Sequence, residues 1–359
     1  MNGAPIITLS AAFLAVGVVA VWLRYRNAKE DLRAIAAYPG LNHINRATLL
    51  WRYVGIGLGL AVVTVVFVAG SPAPVMVAAP AILACVIEAC LLIGELVDYS
   101  YARKPGAASL ERRDASNYLP RRLMALVIAM TVAVVTLMAI GSALAAPSGR
   151  SYAALVCIED APSIICTICS EVSPFFGAHF VTPTAIGLTV AFGLAGAMAV
   201  LTARRPRNGA DATLAAWDDA LRRRSNRAAL ATLTGGVGGS LAIVALAMFG
   251  GQRVASDYND LSNPWVAQCV DRTGDATGYY VPAGQHAFGH PLALVAIIIC
   301  LVVGLLVALA AAIFLLTDFV PERPDGVWPE TADVTGAMPE QRQGQRPPSP
   351  ETTTTEVTA

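Results

Sequence analysis

Two acidic residues interrupt one of the apolar stretches of this 359-residue chain. Glu88 lies near the middle of the stretch, and Glu95 follows seven residues later, which places both on one face of a helix. Ionised carboxylates are costly inside a bilayer, and those that occur often mark ion or proton paths. The sequence therefore predicts a candidate intramembrane proton or ion site at Glu88 and Glu95, with Asp98 as the next carboxylate along the helix.

Two interpretations of Glu88 remain open. No Lys, Arg or His lies inside any of the apolar stretches defined below, so the sequence offers this carboxylate no basic partner there. Glu88 is then expected to be protonated, or hydrogen-bonded to a hydroxyl or backbone group of a neighbouring helix. A proton or cation relay is the functional interpretation, and a neutral carboxyl group that bridges helices is the structural one.

Four of the seven cysteines lie between apolar stretches, in two segments predicted to face the same side of the membrane: Cys157, Cys166, Cys169 and Cys269. An even number of cysteines on an oxidising side predicts disulfide bonds. Two bonds would use all four cysteines, in any of three pairings, and any partner of Cys269 in the other segment would link the two segments. The other three cysteines, Cys85, Cys90 and Cys300, lie within apolar stretches and are expected to pack as small apolar side chains.

A redox or metal site is the alternative for the same cysteines. Cys166 and Cys169 form a CxxC motif, but the segment that holds them is too short for the βαβ scaffold of a thioredoxin-like site. His286 and His290 have the i, i+4 spacing of a helical metal pair, yet Gly289 and Pro291 break the helix that this spacing requires. We therefore predict no metal site, with these two histidines as weak candidates.

The composition places these residues in a membrane protein. The chain is 55% hydrophobic and 14% charged, and its mean hydropathy is +0.58. Soluble globular chains carry about 25% charged residues. These values exclude a soluble enzyme and a disordered protein. Because 25 basic and 25 acidic residues cancel, they also exclude a strongly basic nucleic-acid-binding surface.

The apolar residues are gathered in seven blocks, each of a length that can cross a hydrocarbon core of about 30 Å. They predict an all-α, polytopic membrane domain over residues 1–317, with seven transmembrane helices arranged as one helix plus three helical hairpins. The first block follows a leader without positive charge, so it is predicted to be a retained anchor rather than a cleaved signal peptide. The predicted spans are 5–23, 53–70, 75–97, 123–146, 183–203, 229–250 and 291–317.

The positions of Lys and Arg predict the orientation of these helices. Of the 25 basic residues, 22 lie in alternate loops and in the C-terminal tail, and only Arg150, Arg253 and Arg272 lie on the other side. Cytoplasmic loops carry the excess of Lys and Arg. The N-terminus is therefore predicted outside and the C-terminus inside, with outer loops at 147–182 and 251–290.

Two segments on the predicted cytoplasmic side have their own patterns. Leu214, Trp217 and Leu221 share one helical face, which predicts a short amphipathic helix that binds anionic lipid at the inner surface. The tail at 318–359 is rich in Pro, Thr and Glu and is predicted to be disordered. A protein partner is conceivable at this tail or at the outer loops, and no nucleic-acid partner is predicted.

No motif identifies a reaction. A retinal Schiff base needs a Lys in a span, whereas Lys29 and Lys104 both lie outside the spans, and no span contains a His that could bind haem. No cofactor is predicted. The first hypothesis is a non-enzymatic accessory or sensing component of a bacterial cytoplasmic membrane, with disulfide-linked outer loops. The alternatives are a proton-coupled small-solute transporter that uses Glu88 and a membrane thiol oxidoreductase that uses Cys166 and Cys169.

Overall fold

The computed structural model describes most of the membrane domain. The described residues are Trp22, Leu23, Arg26, Leu32, Ile35, Pro321 and the segments 39–101, 115–143, 156–160, 163–167, 177–206, 212–259 and 291–318. All but the last two residues of the predicted first span, 5–23, therefore lie outside the described residues. The same holds for His286 and His290, for Cys169 and Cys269, and for the predicted tail apart from Asp318 and Pro321.

The described elements are mainly helical. Their bounds are α1 Pro39–Val68, α2 Ala73–Val77, α3 Ala79–Tyr101, α4 Arg121–Ala143, β1 Val156–Asp160, β2 Ser163–Thr167, α5 Ala178–Arg204, α6 Ala212–Asn259 and α7 Pro291–Thr317, with a 3₁₀ turn at Ala115–Tyr118 before α4. Six of the helices are long and apolar enough to cross a bilayer: α1, α3, α4, α5, α6 and α7. Helices of this length and apolarity indicate a multi-pass membrane protein.

Large apolar side chains are exposed on the outer faces of these helices. Val65 on α1 is 64% exposed, Ile128 on α4 is 57% exposed and Leu306 on α7 is 59% exposed. Soluble proteins rarely expose contiguous apolar surface on this scale. Exposed apolar faces on several long helices are the arrangement expected where lipid, rather than water, surrounds the bundle.

The six spanning helices overlap the second to seventh predicted spans, but two are longer than predicted. Helix α1 begins at Pro39 rather than near residue 53, and α6 continues unbroken from Ala212 to Asn259. The segment predicted to be a short amphipathic helix before the sixth span is thus the first part of α6. Hydropathy identifies only the apolar part of a helix. Both helices extend beyond that part because polar residues near their ends are paired inside the protein.

The face of α6 that was predicted to bind lipid packs against protein instead. Trp217 and Leu221 are 2% and 3% exposed, and they form an apolar cluster with Ile35, Leu41 and Ile44. The last two of these belong to the early turns of α1. The apolar face at the start of α6 is therefore covered by other residues of the same chain, among them the early turns of α1.

Helix α3 packs against α1, α5 and α6 and meets each of these spanning helices at a glycine position. A Cβ atom added at Gly55 of α1, Gly187 of α5 or Gly236 of α6 would lie within 3.0 Å of a side chain of α3. Small residues allow backbones to approach closely where lipid provides no hydrophobic driving force between helices. These contacts enclose the face of α3 that carries the acidic residues.

Strands β1 and β2 form an antiparallel hairpin between α4 and α5 that the all-α prediction did not include. The hairpin lies in the predicted outer loop 147–182. Its strands, Val-Cys-Ile-Glu-Asp and Ser-Ile-Ile-Cys-Thr, are rich in the β-branched residues that favour extended structure.

Candidate functional site

Glu88 is fully enclosed by the bundle. The residue has 0% exposure, and neither carboxyl oxygen has a hydrogen-bond partner among the described residues. Its neighbours Ile87 and Leu91 belong to an apolar cluster that includes residues of α4, α5 and α6. An ionised carboxylate without partners in such surroundings is strongly disfavoured. This position therefore favours the protonated carboxyl group whenever the bundle is closed around it.

Cys85 lies one turn before Glu88 and contacts α5. Its Sγ atom donates a hydrogen bond to the carbonyl oxygen of Gly187 at 2.9 Å. The thiol is free, as are those of Cys90 and Cys300. All three lie in membrane-spanning helices and pack as small side chains.

Five charged residues form a buried cluster at the end of the bundle that is predicted to be cytoplasmic. We call this group the inner ion-pair cluster, and its members are Glu95, Asp98, Arg205, Asp218 and Arg222. Arg205 is its central cation. One of its Nη atoms lies 3.2 Å from Oε2 of Glu95, and the other lies 3.1 Å from Oδ1 of Asp218. Arg205 directly follows the last residue of α5, and its single guanidinium group links the end of α3 to α6.

Arg222 completes the cluster and also caps α5. Its guanidinium group contacts Oδ2 of Asp218 through Nε at 2.9 Å and Nη2 at 2.7 Å. The same group donates to the carbonyl oxygens of Thr202 at 2.8 Å and of Arg205 at 2.6 Å. The last carbonyl groups of a helix lack partners within the helix and carry partial negative charge. Arg222 satisfies them from inside the protein.

Asp98 is the least satisfied member of the inner ion-pair cluster. It has 0% exposure, its Oδ2 atom accepts a 3.4 Å hydrogen bond from the hydroxyl of Thr48, and its Oδ1 atom has no partner among the described residues. The cluster contains three carboxylates and two guanidinium groups. Burial opposes the charged form of Arg205, but the nearby carboxylates of Glu95, Asp218 and Asp98 raise its pKa above the usual value, so this cation is permanent.

A second buried ion pair joins the end of α7 to α1 and α6. Asp318, at the predicted start of the disordered tail, is only 6% exposed. Its carbonyl oxygen accepts hydrogen bonds from Arg52 at 2.5 Å and from Arg224 at 2.7 Å, and its carboxylate lies 3.4 Å from Nε of Arg224. Arg224 also donates to the side-chain oxygen of Asn45. These contacts fix the end of the last helix inside the bundle.

The structure gives Glu95, but not Glu88, a charged partner among the described residues. Glu88, Glu95 and Asp98 all lie on the buried face of α3, and none of the three residues is more than 2% exposed. The partner of Glu95, Arg205, was counted only as evidence for orientation. The sequence did contain a signal for the Glu95–Arg205 pair, because both residues lie at ends of spans that are predicted to reach the same membrane surface.

The remaining predicted site residues are only partly described. Cys157 and Cys166 lie in β1 and β2. Within the described segments, no three His, Cys, Asp or Glu side chains are grouped to hold a metal ion.

Comparison with protein-family models, curated proteins and solved structures finds no match to this chain. Its function is therefore argued from the geometry of the acidic face of α3.

Proposed function

We propose that this chain is a proton-coupled membrane transporter in which Glu88 is the proton-binding residue. The observation that carries the proposal is the complete burial of a carboxyl group whose two oxygens have no partner in the described part of the chain. A carboxyl group in that state holds its proton while the site is closed. It releases the proton only when the helices around α3 part and admit water.

Two further carboxylates on α3, Glu95 and Asp98, support a proton path from Glu88 to the surface that is predicted to be cytoplasmic. Glu95 lies about 10 Å from Glu88 along the helix axis, because each residue advances the helix by about 1.5 Å. Glu95 and Asp98 each retain one buried oxygen without a partner among the described residues. Since 10 Å is too far for direct transfer, the proton would move between Glu88 and the inner ion-pair cluster through water. The helix contacts at Gly55, Gly187 and Gly236 are the places where α3 would have to separate from its neighbours.

A pH jump tests proton binding without a known solute. Purified protein in vesicles adsorbed to a capacitive electrode is expected to give a transient current when the external pH rises, because the proton bound to Glu88 leaves the bilayer when the helices open. Glu88→Gln is expected to abolish the transient, since an amide does not titrate. Thr184→Val is the matched control, because Thr184 is equally buried and its hydroxyl also has no described partner, yet it does not titrate.

Two outcomes of the pH jump are inconsistent with proton binding at Glu88. A transient that persists in Glu88→Gln, or a wild-type protein that gives no transient while remaining folded, would contradict the proposal. Either result would leave Glu88 as a neutral structural group and return the accessory or sensing component to first place.

We also propose seven spans with the N-terminus outside and the C-terminus inside a bacterial cytoplasmic membrane, on the strength of the uneven distribution of Lys and Arg. Arg223 is exposed beside the inner ion-pair cluster. A membrane-impermeant maleimide is expected to label Arg223→Cys in inverted vesicles but not in intact cells. Thr277→Cys, in the predicted outer loop 251–290, is the control with the opposite pattern, and labelling of Arg223→Cys in intact cells would overturn the orientation.

A further inference from the structure

The β1–β2 hairpin selects one partner for Cys166. In its antiparallel register, Cys157 lies directly opposite Cys166, and Asp160 lies opposite Ser163. The two strands are joined by the two residues 161–162. The sequence alone left three pairings of the four outer cysteines, and only one of them matches this register.

The position of the pair within the hairpin is also suitable for a disulfide. A two-residue hairpin turn is closed by a hydrogen-bonded pair, here Asp160 and Ser163, and hydrogen-bonded pairs alternate with non-hydrogen-bonded pairs along an antiparallel ladder. Three steps from the closing pair, Cys157 and Cys166 form a non-hydrogen-bonded pair. The Cα atoms of such a pair are about 4.5 Å apart. Disulfides join Cα atoms that are about 4.4–6.8 Å apart.

We propose that Cys157 and Cys166 form a cross-strand disulfide, which leaves Cys169 to pair with Cys269 and thereby link the two outer loops. The proposal rests on the outward orientation of these loops that is part of the proposed function. It assigns the CxxC motif a structural role: Cys166 and Cys169 belong to two different bonds and do not form a dithiol redox centre.

The bond forms by thiol–disulfide exchange with a protein disulfide of an extracytoplasmic thiol oxidase. The thiolate of one cysteine attacks that disulfide, which gives a mixed disulfide and releases one oxidase thiol. The second cysteine then attacks the mixed disulfide and releases the other oxidase thiol. The two cysteines lose two electrons and two protons, and the oxidase disulfide is reduced to a dithiol.

Disulfide mapping of the full chain tests the pairing. Protein isolated from the membrane under non-reducing conditions is alkylated and then cleaved after Arg150, Glu159, Glu171, Arg253 and Arg272. The wild-type protein is expected to take up no label at the four outer cysteines, and the peptides containing Cys157, Cys166/Cys169 and Cys269 should remain joined.

Two serine variants then distinguish the pairings. In Cys269→Ser, the new label is expected on Cys169, with Cys166 still joined to Cys157. In Cys157→Ser, the label is expected on Cys166. Label on Cys157 or Cys166 in Cys269→Ser, or four labelled thiols in the wild-type protein, would overturn the pairing. Because the mapping measures no transport, its failure would leave the pH-jump test of Glu88 unaffected.

Discussion

Replacement of Arg205 with Met is expected to lower the free energy of unfolding by about 3–5 kcal/mol, the cost of leaving a buried charge without its partner. The side chain of Arg205 is 0% exposed and contacts both Glu95 and Asp218. Met fills similar space but removes the cation. Asp218 keeps its two contacts with Arg222, so the main loss falls on Glu95, whose remaining oxygen already has no partner in the described part of the chain.

Unfolding in detergent micelles with increasing SDS, followed by circular dichroism, measures this loss. Arg223→Met is the matched control, because it makes the same substitution at an exposed neighbouring position, where surface changes usually stay within about 0.5 kcal/mol. Equal stability of the Arg205→Met and Arg223→Met variants would show that the inner ion-pair cluster does not stabilise the fold.

A double variant separates the unpaired charge from the loss of packing. Arg205→Met combined with Glu95→Leu removes both members of one pair, and buried ion pairs replaced by apolar residues of similar volume are often neutral in stability. The double variant is therefore expected to recover most of the loss. If Glu95→Leu instead adds to the damage, then the destabilisation by Arg205→Met does not arise from an isolated carboxylate.

The spanning helices could be predicted because apolar length is a local property of the sequence. The partners of the polar residues could not, since they depend on how helices rotate and pack. Trp217 shows the difference: its spacing with Leu214 and Leu221 predicts an apolar face, but the pattern is the same whether lipid or Ile44 of α1 covers that face.

In the candidate site too, the sequence predicted which residue is buried but not which residues are paired. The position of Glu88 in an apolar stretch predicts a buried carboxyl group, and its depth in the bundle agrees. The partner of Glu95 was not predicted, because the pair requires Arg205 to turn inward from the end of α5 rather than toward the lipid headgroups. The positive-inside rule counts every arginine equally, whereas this structure buries some of them as the central cations of ion pairs.

The glycines of α6 serve two different interfaces. Gly235 and Gly239 have the spacing of a GxxxG pair, but this pattern cannot fix the rotation of the helix when Gly236 and Gly238 lie beside them. In the structure, Gly239 faces Pro80 of α3, as Gly236 faces that helix, while Gly235 and Gly238 face α7. The two glycines of the GxxxG pair therefore lie in different interfaces, Gly235 against α7 and Gly239 against α3.

Replacement of Gly304 on α7 with Val is expected to destabilise the protein by about 1–3 kcal/mol, as overpacking does in a close-packed interior. A Cβ atom at this position would lie 2.6 Å from the carbonyl oxygen of Gly238 and 2.8 Å from the backbone nitrogen of Ala242. Both are backbone atoms that cannot rotate away, so α6 and α7 would have to move apart along the contact.

Gly193→Val on α5 provides the control for this prediction, because a Cβ atom there would meet nothing within 4 Å. SDS unfolding should show a clear loss of stability for Gly304→Val and little change for Gly193→Val, with Gly304→Ala between them. Equal stability of the two valine variants would mean that α6 and α7 are not in backbone contact. A loss confined to Gly304→Val would show that α6 and α7 are held together by close backbone packing.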